Sequence, residues 1–386
     1  MPKLSVNPQK LLQTLRPRLP EMLHTLRAFT LAESPSTEKA PADRCADLIA
    51  TEWRKRNVRI DLIREKVRGN HIRIEWRPAS HKSSGQLFVL GHYDTVYATG
   101  TLKKMPFAIR GGKVYGPGVF DMKAGIVQAL FALDALDATA TPVSKKIVFL
   151  WTSDEEIGSE SSRKLLETEA RRSDAVFVLE PSFGPRGLLK TARKGVGEAE
   201  LTVHGKASHA GLAPQEGINA VHELALQISK ISQWNDPHRG VTVNANIIEG
   251  GTRVNVIAEK AIAILDLRAL RISDMRALEK KLKALKPVLR GAKLEITGGF
   301  NRAPLEHKYS AGLFAHAKQL AGQMGLSIGE CTAGGGSDGN LTAALGIPTL
   351  DGLGAVGDGA HSAHEHVIAK TMSERAALLA ALLSSS

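Results

Sequence analysis

The sequence is poor in cysteine, in aromatic residues and in long apolar runs, and each shortage removes a class of protein. Only Cys45 and Cys331 occur among 386 residues, so neither a disulfide framework nor a cysteine-ligated metal site can be built. Aromatic side chains make up 5% of the chain. The formal charge of +12 is spread over helix-like segments such as Lys280 to Lys286 with few aromatics between them, which argues against a nucleic-acid-binding surface. The positive surplus suits solvated faces and favours anionic substrates. No stretch approaches the ~20 apolar residues of a membrane-spanning helix. The N-terminal MPKLSVNPQKLLQTLRPRLPEML is broken by charges and prolines and has no apolar core or small-residue cleavage site. A cytoplasmic protein without membrane or nucleic-acid partners is the expectation.

Hydrophobic residues at 43% and charged residues at 23% are those of an ordinary globular protein, long enough for two domains. Helical spacing of Leu11, Leu12, Leu15, Leu19, Met22, Leu23 and Leu26, broken by Pro17 and Pro20, predicts a surface helix pair from Pro8 to about Thr30. Ala42 to Arg56 reads as a second amphipathic segment, and Val58 to Trp76 as two strands. From about Gly195 the order becomes strand, helix, strand, strand, helix, strand. The strands are Gly197 to Val203, Val241 to Ile248, Ala261 to Ala269 and Lys293 to Thr297, and the helices are Ile218 to Gln233 and Ser273 to Leu289. That order fits a small α+β layer, an antiparallel sheet with two helices on one face, inserted into a larger α/β domain. The chain then resumes with a helix from Tyr309 to Met324, a short strand from Ile347 to Leu350 and a terminal helix from Ser373 to Leu383.

Within the α/β part, three apolar strands end in polar residues, where open α/β sheets present functional groups. Gln86 to Leu90 runs into Gly91-His92-Tyr93-Asp94, Ile147 to Leu150 into WTSDEEIG, and Ala175 to Leu179 into Glu180-Pro181-Ser182. The adjacent acids Glu155 and Glu156 repel each other unless positive charge lies beside them. A metal ion supplies it; a helix start capped by Ser153 or Asp154, with both acids against the macrodipole, is the other reading. Asp121 follows the glycines of Tyr115-Gly116-Pro117-Gly118 and precedes an apolar helix to Leu136, so it is either an N-cap or a ligand held by a tight loop. His361 lies after Gly357-Asp358-Gly359-Ala360; His364 and His366 behind it read as surface residues. His92, Asp121, Glu155, Glu156, Glu180 and His361 together offer two imidazoles and four carboxylates. Nitrogen and oxygen ligation without thiolate suits zinc, and also cobalt or manganese.

These motifs, in this order from Leu87 to Glu365, resemble the aminoacylase and glutamate carboxypeptidase family of dinuclear zinc metallopeptidases, nearest its folate-hydrolysing glutamate carboxypeptidases. The resemblance implies a zinc-exopeptidase-like catalytic domain with a mixed central sheet flanked by helices, residues 1–194 and 303–386. An inserted α+β lid and dimerisation domain, residues 195–302, would interrupt it. It implies that His92, Asp121 and Glu180 hold one zinc ion and Asp121, Glu156 and His361 the second. Asp94 would orient His92, Glu155 would be the general base, and the Asp121-Met122 peptide bond would be cis. In the lid, His209 of GKASHAG would polarise the scissile carbonyl, often across a homodimer. Asn255 and Arg268 would hold the substrate carboxylate, Arg268 through a bidentate pair. Gly335, Gly336 and Ser337, in GGGSDGN, would line the substrate pocket. The implied function is hydrolysis of an amide bond next to a free carboxylate in a small-molecule substrate, a peptide or an N-acyl amino acid. An N-acyl amino acid deacylase of the acetylornithine type uses the same catalytic residues. A non-catalytic amino acid or peptide binding protein would require a missing ligand or base, and none is missing.

Overall fold

A computed structural model describes residues 7–78 and 85–386 of the chain; the first six residues of the N-terminal stretch read above lie outside them. The described residues divide into two compact units. One takes the chain up to Thr191 with His307–Thr332 and Ser337–Ser386; the other takes Ala192–Glu306 with Ala333–Gly336. The expected divisions at 194/195 and 302/303 fall within a few residues of these limits, while Ala333–Gly336, expected in the catalytic part, group with the second unit.

The first unit is built on a six-stranded mixed sheet in the order Arg59–Ile63, His71–Trp76, Lys146–Thr152, Gln86–His92, Ala175–Val178, Thr349–Leu350. The first two strands run antiparallel; the other four are mutually parallel. Six of the seven residues of Lys146–Thr152, all seven of Gln86–His92 and all four of Ala175–Val178 are buried. That explains why these strands read as unbroken apolar runs rather than as alternating ones. Helix Ala124–Ala138 is apolar nearly all round and almost entirely buried, as expected of a helix enclosed by others. It packs against Thr371–Ser385, Pro8–Leu15 and Leu19–Leu31. The N-terminal helices are therefore more than a surface pair: Leu11, Leu12, Leu15, Met22 and Leu26 belong to the main core.

The second unit is a four-stranded antiparallel sheet, Thr242–Gly250, Lys260–Ala269, Gly195–His204, Lys293–Arg302. Alternate residues Leu201, Val203, Ala263, Leu265 and Leu267 share its core with Leu224 and Ile231 of helix Ala220–Ser232 and with Leu278 and Leu282 of helix Ile272–Lys283. The second helix stops six residues before the expected end at Leu289. Pro287 disfavours helical backbone before it, and the N–H groups of Val288 and Leu289 turn to the buried carboxylate of Glu223. The strand expected at Lys293 to Thr297 continues to Arg302 through an irregularity between Phe300 and Arg302. Among the described residues no helix is long and apolar enough to cross a membrane.

Candidate metal centre

His92 closes its strand opposite Thr152, so its ring emerges at the carboxyl edge of the parallel strands. Nδ1 lies 3.1 Å from the carbonyl oxygen of Asp94 and 3.4 Å from its carboxylate. We assign the proton to Nδ1, donating to that carbonyl, which leaves Nε2 as the lone-pair nitrogen. Nε2 faces Asp121 Oδ1 at 3.2 Å and Glu180 Oε1 at 3.5 Å. The Asp94 carboxylate has other work: it accepts the backbone N–H groups of Glu155 and Glu156 at 3.3 Å each, and the Ser36 hydroxyl at 2.7 Å.

Asp121 is not a helix cap. Its backbone is extended (φ −116°, ψ 96°), the Asp121-Met122 bond is cis, and helix Ala124–Ala138 starts after Lys123. The tight turn before it depends on Gly118, whose φ is +72° and where a Cβ would stand 2.5 Å from Thr95 Cγ2. The two oxygens of Asp121 point in different directions, Oδ1 to His92 and Oδ2 to His361 Nε2 at 3.5 Å. His361 itself has φ +60°, a costly backbone state for a residue with a Cβ and one that gathers at functional sites. Its Nε2 lies 3.0 Å from Glu156 Oε2.

Glu155 and Glu156 sit in a single 3-10 turn, Glu155–Ile157, directly after the strand Lys146–Thr152. Neither cap expected for this turn is used there. Ser153 donates to the Gly69 carbonyl, and Asp154 accepts the N–H groups of Ser161 and Ser162 at 2.7 and 3.2 Å, ahead of helix Arg163–Arg171. Asp94, two residues past the end of the neighbouring strand Gln86–His92, binds the N–H groups of the two acids instead.

The side chains thus gather into two triads, His92, Asp121, Glu180 and Asp121, Glu156, His361, with one candidate ligand atom of each residue within 4.8 Å of the others. Asp121 belongs to both. The electrostatics call for a cation. Burial disfavours a charged His92, yet the carboxylates of Asp121, Asp94 and Glu180 outweigh it and push the imidazole well up. Asp121 and Glu156 push His361 up to about 10. Burial pushes Glu156 up, with Asp121 adding repulsion, while burial of Asp121 is overcome by the two imidazoles, which hold its carboxyl down. His92 Nε2 and Asp121 Oδ1 are buried without a hydrogen-bond partner among the described residues. Such atoms are costly unless something completes them, and a divalent ion bound by nitrogen and oxygen donors fits.

In the second unit, His209 and Asn255 lie together: His209 pairs with Val256, and Ala210 N–H donates to the Asn255 carbonyl at 2.9 Å. His209 Nδ1 accepts the N–H groups of Gly211 and Leu212, both at 3.1 Å, so the ring proton is assigned to Nε2. Arg268 is occupied within its own strand by Asp266, with Nη2 2.8 Å from Oδ2. The carbonyls of Gly335 and Gly336 accept from Arg193 at 3.1 and 3.2 Å. Ser337 departs from its expected place as a pocket residue. It is fully buried, caps helix Asp338–Ala344 and donates to Asp351. His366 departs too, being buried against Tyr115, while His364 is exposed as read.

Three residues near the centre were not singled out from the sequence. Ser36 reaches Asp94 from a segment bridged to Thr95 through Pro35; a serine in SPST carries no signal of its own. Lys190 places Nζ 4.0 Å from Glu180 Oε2. Glu365 is buried and accepts the N–H groups of Gly118, Phe120 and Asp121; only its place four residues after His361 hinted at it.

Residues 88–385 match the peptidase family M20/M25/M40. The sequence is 33% identical over 283 residues, 72% of this chain and 68% of the relative, to carboxypeptidase G2 of Pseudomonas sp. (strain RS-16). The structure is similar to aminopeptidase PepT from Bacillus cereus, with a TM-score of 0.78 at 20% identity, covering 96% of this chain and 98% of the other. It is also similar to the YXEP protein of Bacillus subtilis, described as a dinuclear metal-binding peptidase of family M20. There the TM-score is 0.70 at 16% identity, with 96% and 98% covered. The chain belongs to the M20/M25/M40 peptidase family and is a hydrolase of the metallopeptidase class.

Proposed function

We propose that this chain is a glutamate carboxypeptidase-like enzyme that cleaves an amide bond adjacent to a free carboxylate, with two zinc ions, replaceable by cobalt or manganese. The observation that carries the metal reading is the shared Asp121, whose two oxygens face the imidazoles of two separate triads. His92, Asp121 and Glu180 would hold one ion, and Asp121, Glu156 and His361 the other. When bound, such ions supply Lewis acidity and a water that ionises near neutral pH.

The chain's own groups then have defined tasks. Asp94 fixes the His92 tautomer through its carbonyl and seats the turn bearing Glu155. Glu155 takes a proton from the attacking water and delivers it to the leaving nitrogen, which keeps one group near both proton positions. His209, with Nδ1 already accepting two N–H bonds, has its Nε2–H available to donate to the carbonyl oxygen as it gains charge. Asn255 and Arg268 bind the substrate carboxylate, Arg268 exchanging part of its pairing with Asp266 for it, and Gly335 and Gly336 border the substrate.

The carboxypeptidase-type specificity is supported by the similarity to carboxypeptidase G2. Assembly as a homodimer through the second unit is supported by its edge strand Thr242–Gly250, where Ile247 and Ile248 are more than half exposed. A cytoplasmic location accords with the low cysteine content, two residues among 386.

A hydrolysis panel of folyl-glutamate, glutamyl dipeptides and N-acetyl amino acids tests the specificity. Preferred release of a C-terminal glutamate supports it, and preference for acetyl removal replaces it with the deacylase. Loss of that preference in Arg268→Ala, through a raised KM for carboxylate-bearing substrates, supports the clamp, and indifference refutes it.

A further inference from the structure

Glu365 is a carboxylate with no exposed surface that none of the roles above uses. Its Oε1 accepts the backbone N–H groups of Phe120 at 2.8 Å and Asp121 at 3.1 Å, and Oε2 that of Gly118 at 3.1 Å. The Tyr97 hydroxyl lies beside the carboxylate and donates to the Ser362 carbonyl at 3.0 Å. Burying a carboxylate is expensive unless it is richly hydrogen-bonded, and charge-assisted bonds of this kind are about twice as strong as neutral ones. The acceptor is aimed at the one loop whose residue faces both imidazoles.

We propose that Glu365 is a positioning residue that locks the Gly118–Asp121 loop to the His361 segment and thereby sets the second of the two ion sites. The inference rests on the two-ion assignment above. The first triad has independent support, because His92 ends a strand held on both sides and Glu180 follows another strand of the same sheet, Leu179 N–H donating to the Leu90 carbonyl at 2.9 Å. The second triad has less. His361 is about half exposed, at 49%, and has a left-handed backbone. The residues after it are tied by Glu365 N–H to the Ser362 carbonyl, by Ser362 N–H to Gly359 and by Tyr97. Glu365 is the residue through which that segment grips the Asp121 loop. Its loss frees Asp121 Oδ2 and His361 to move apart, while His92 and Glu180 stay in the sheet.

The test is zinc titration of metal-free full-length protein against a chromophoric chelator, for the natural sequence, Glu365→Gln and Tyr97→Phe, with thermal unfolding recorded beside each. Glu365→Gln keeps the shape but turns one acceptor oxygen into a donor that faces a backbone N–H group. It should leave the tighter ion within a few-fold and weaken the other ~10–100-fold, the usual effect of losing a group that orients ligands. Tyr97→Phe, which leaves the carboxylate in place, should weaken the same ion a few-fold and serves if Glu365→Gln does not fold. Equal weakening of both ions, or unchanged binding in the folded variants, overturns the positioning role while leaving the two-ion assignment intact. A natural protein that binds fewer than two ions overturns both.

Discussion

The Asp94 carboxylate accepts the backbone N–H of Glu155 at 3.3 Å, across two strands of the central sheet. The same residue's carbonyl fixes the ring of His92. One residue therefore couples, through its backbone carbonyl and its carboxylate, the orientation of a proposed metal ligand to the seat of the proposed base. Asp94→Asn keeps the carbonyl contact but replaces one acceptor oxygen with a donor that faces an N–H group. Turnover should fall ~10–100-fold, as for other groups that orient ligands, with a smaller loss of metal affinity. Steady-state kinetics alongside metal analysis checks it, and an unaffected turnover removes Asp94 from this role.

Glu155 belongs to neither triad. Glu155→Gln should keep both ions and lower kcat by at least ~100-fold, the lower range of general acid–base contributions. Single-turnover measurements on variant protein with verified metal content decide the matter. Substantial remaining turnover gives the proton transfer to another group.

Chelation should abolish hydrolysis, and added zinc or cobalt should restore it. Because the ions bind the folded chain, their removal should also lower Tm. At 100 times Kd one bound ligand contributes about 2.7 kcal/mol. Calorimetry with and without chelator reads this independently of substrate.

In the second unit, burial disfavours an ionised Glu223, but the N–H groups of Leu289 and Val288 and the amide of Gln227 outweigh it and hold the carboxyl below its ordinary value. The sign follows: the stabilisation is complete above the ordinary carboxylate value and is lost through the acidic range as pH falls past the lower folded one. Glu223→Ala should cost on the order of 2–3 kcal/mol at neutral pH, from buried donors left unpaired. It should also flatten that part of the pH dependence, as urea unfolding across this range would show.

The sequence made the parallel strands legible because a strand buried on both faces is a continuous apolar run, as in Ile147 to Leu150. It made the candidate ligands legible because His92, Asp121, Glu156 and Glu180 follow such strands or a glycine-rich loop. The supporting contacts were hidden because they join residues far apart in the chain. Ser36 meets Asp94 across 58 positions and Glu365 meets Phe120 across 245, and no local period encodes such pairs. The Ile272–Lys283 helix was overextended because its apolar spacing runs on through Leu285 and Leu289, while Pro287 and the distant carboxylate of Glu223 decide its end. Ser337 was misplaced because a serine in a glycine-rich loop reads equally as pocket lining or helix cap, and only the buried Asp351 resolves it.

The most direct measurement is the number of zinc ions bound per chain by the natural protein and by His361→Ala. Sharing of Asp121 between two triads predicts two ions in the natural protein and one tight ion in the variant, retained by His92, Asp121 and Glu180. One ion or none in the natural protein, or two tight ions in the variant, would contradict the dinuclear centre.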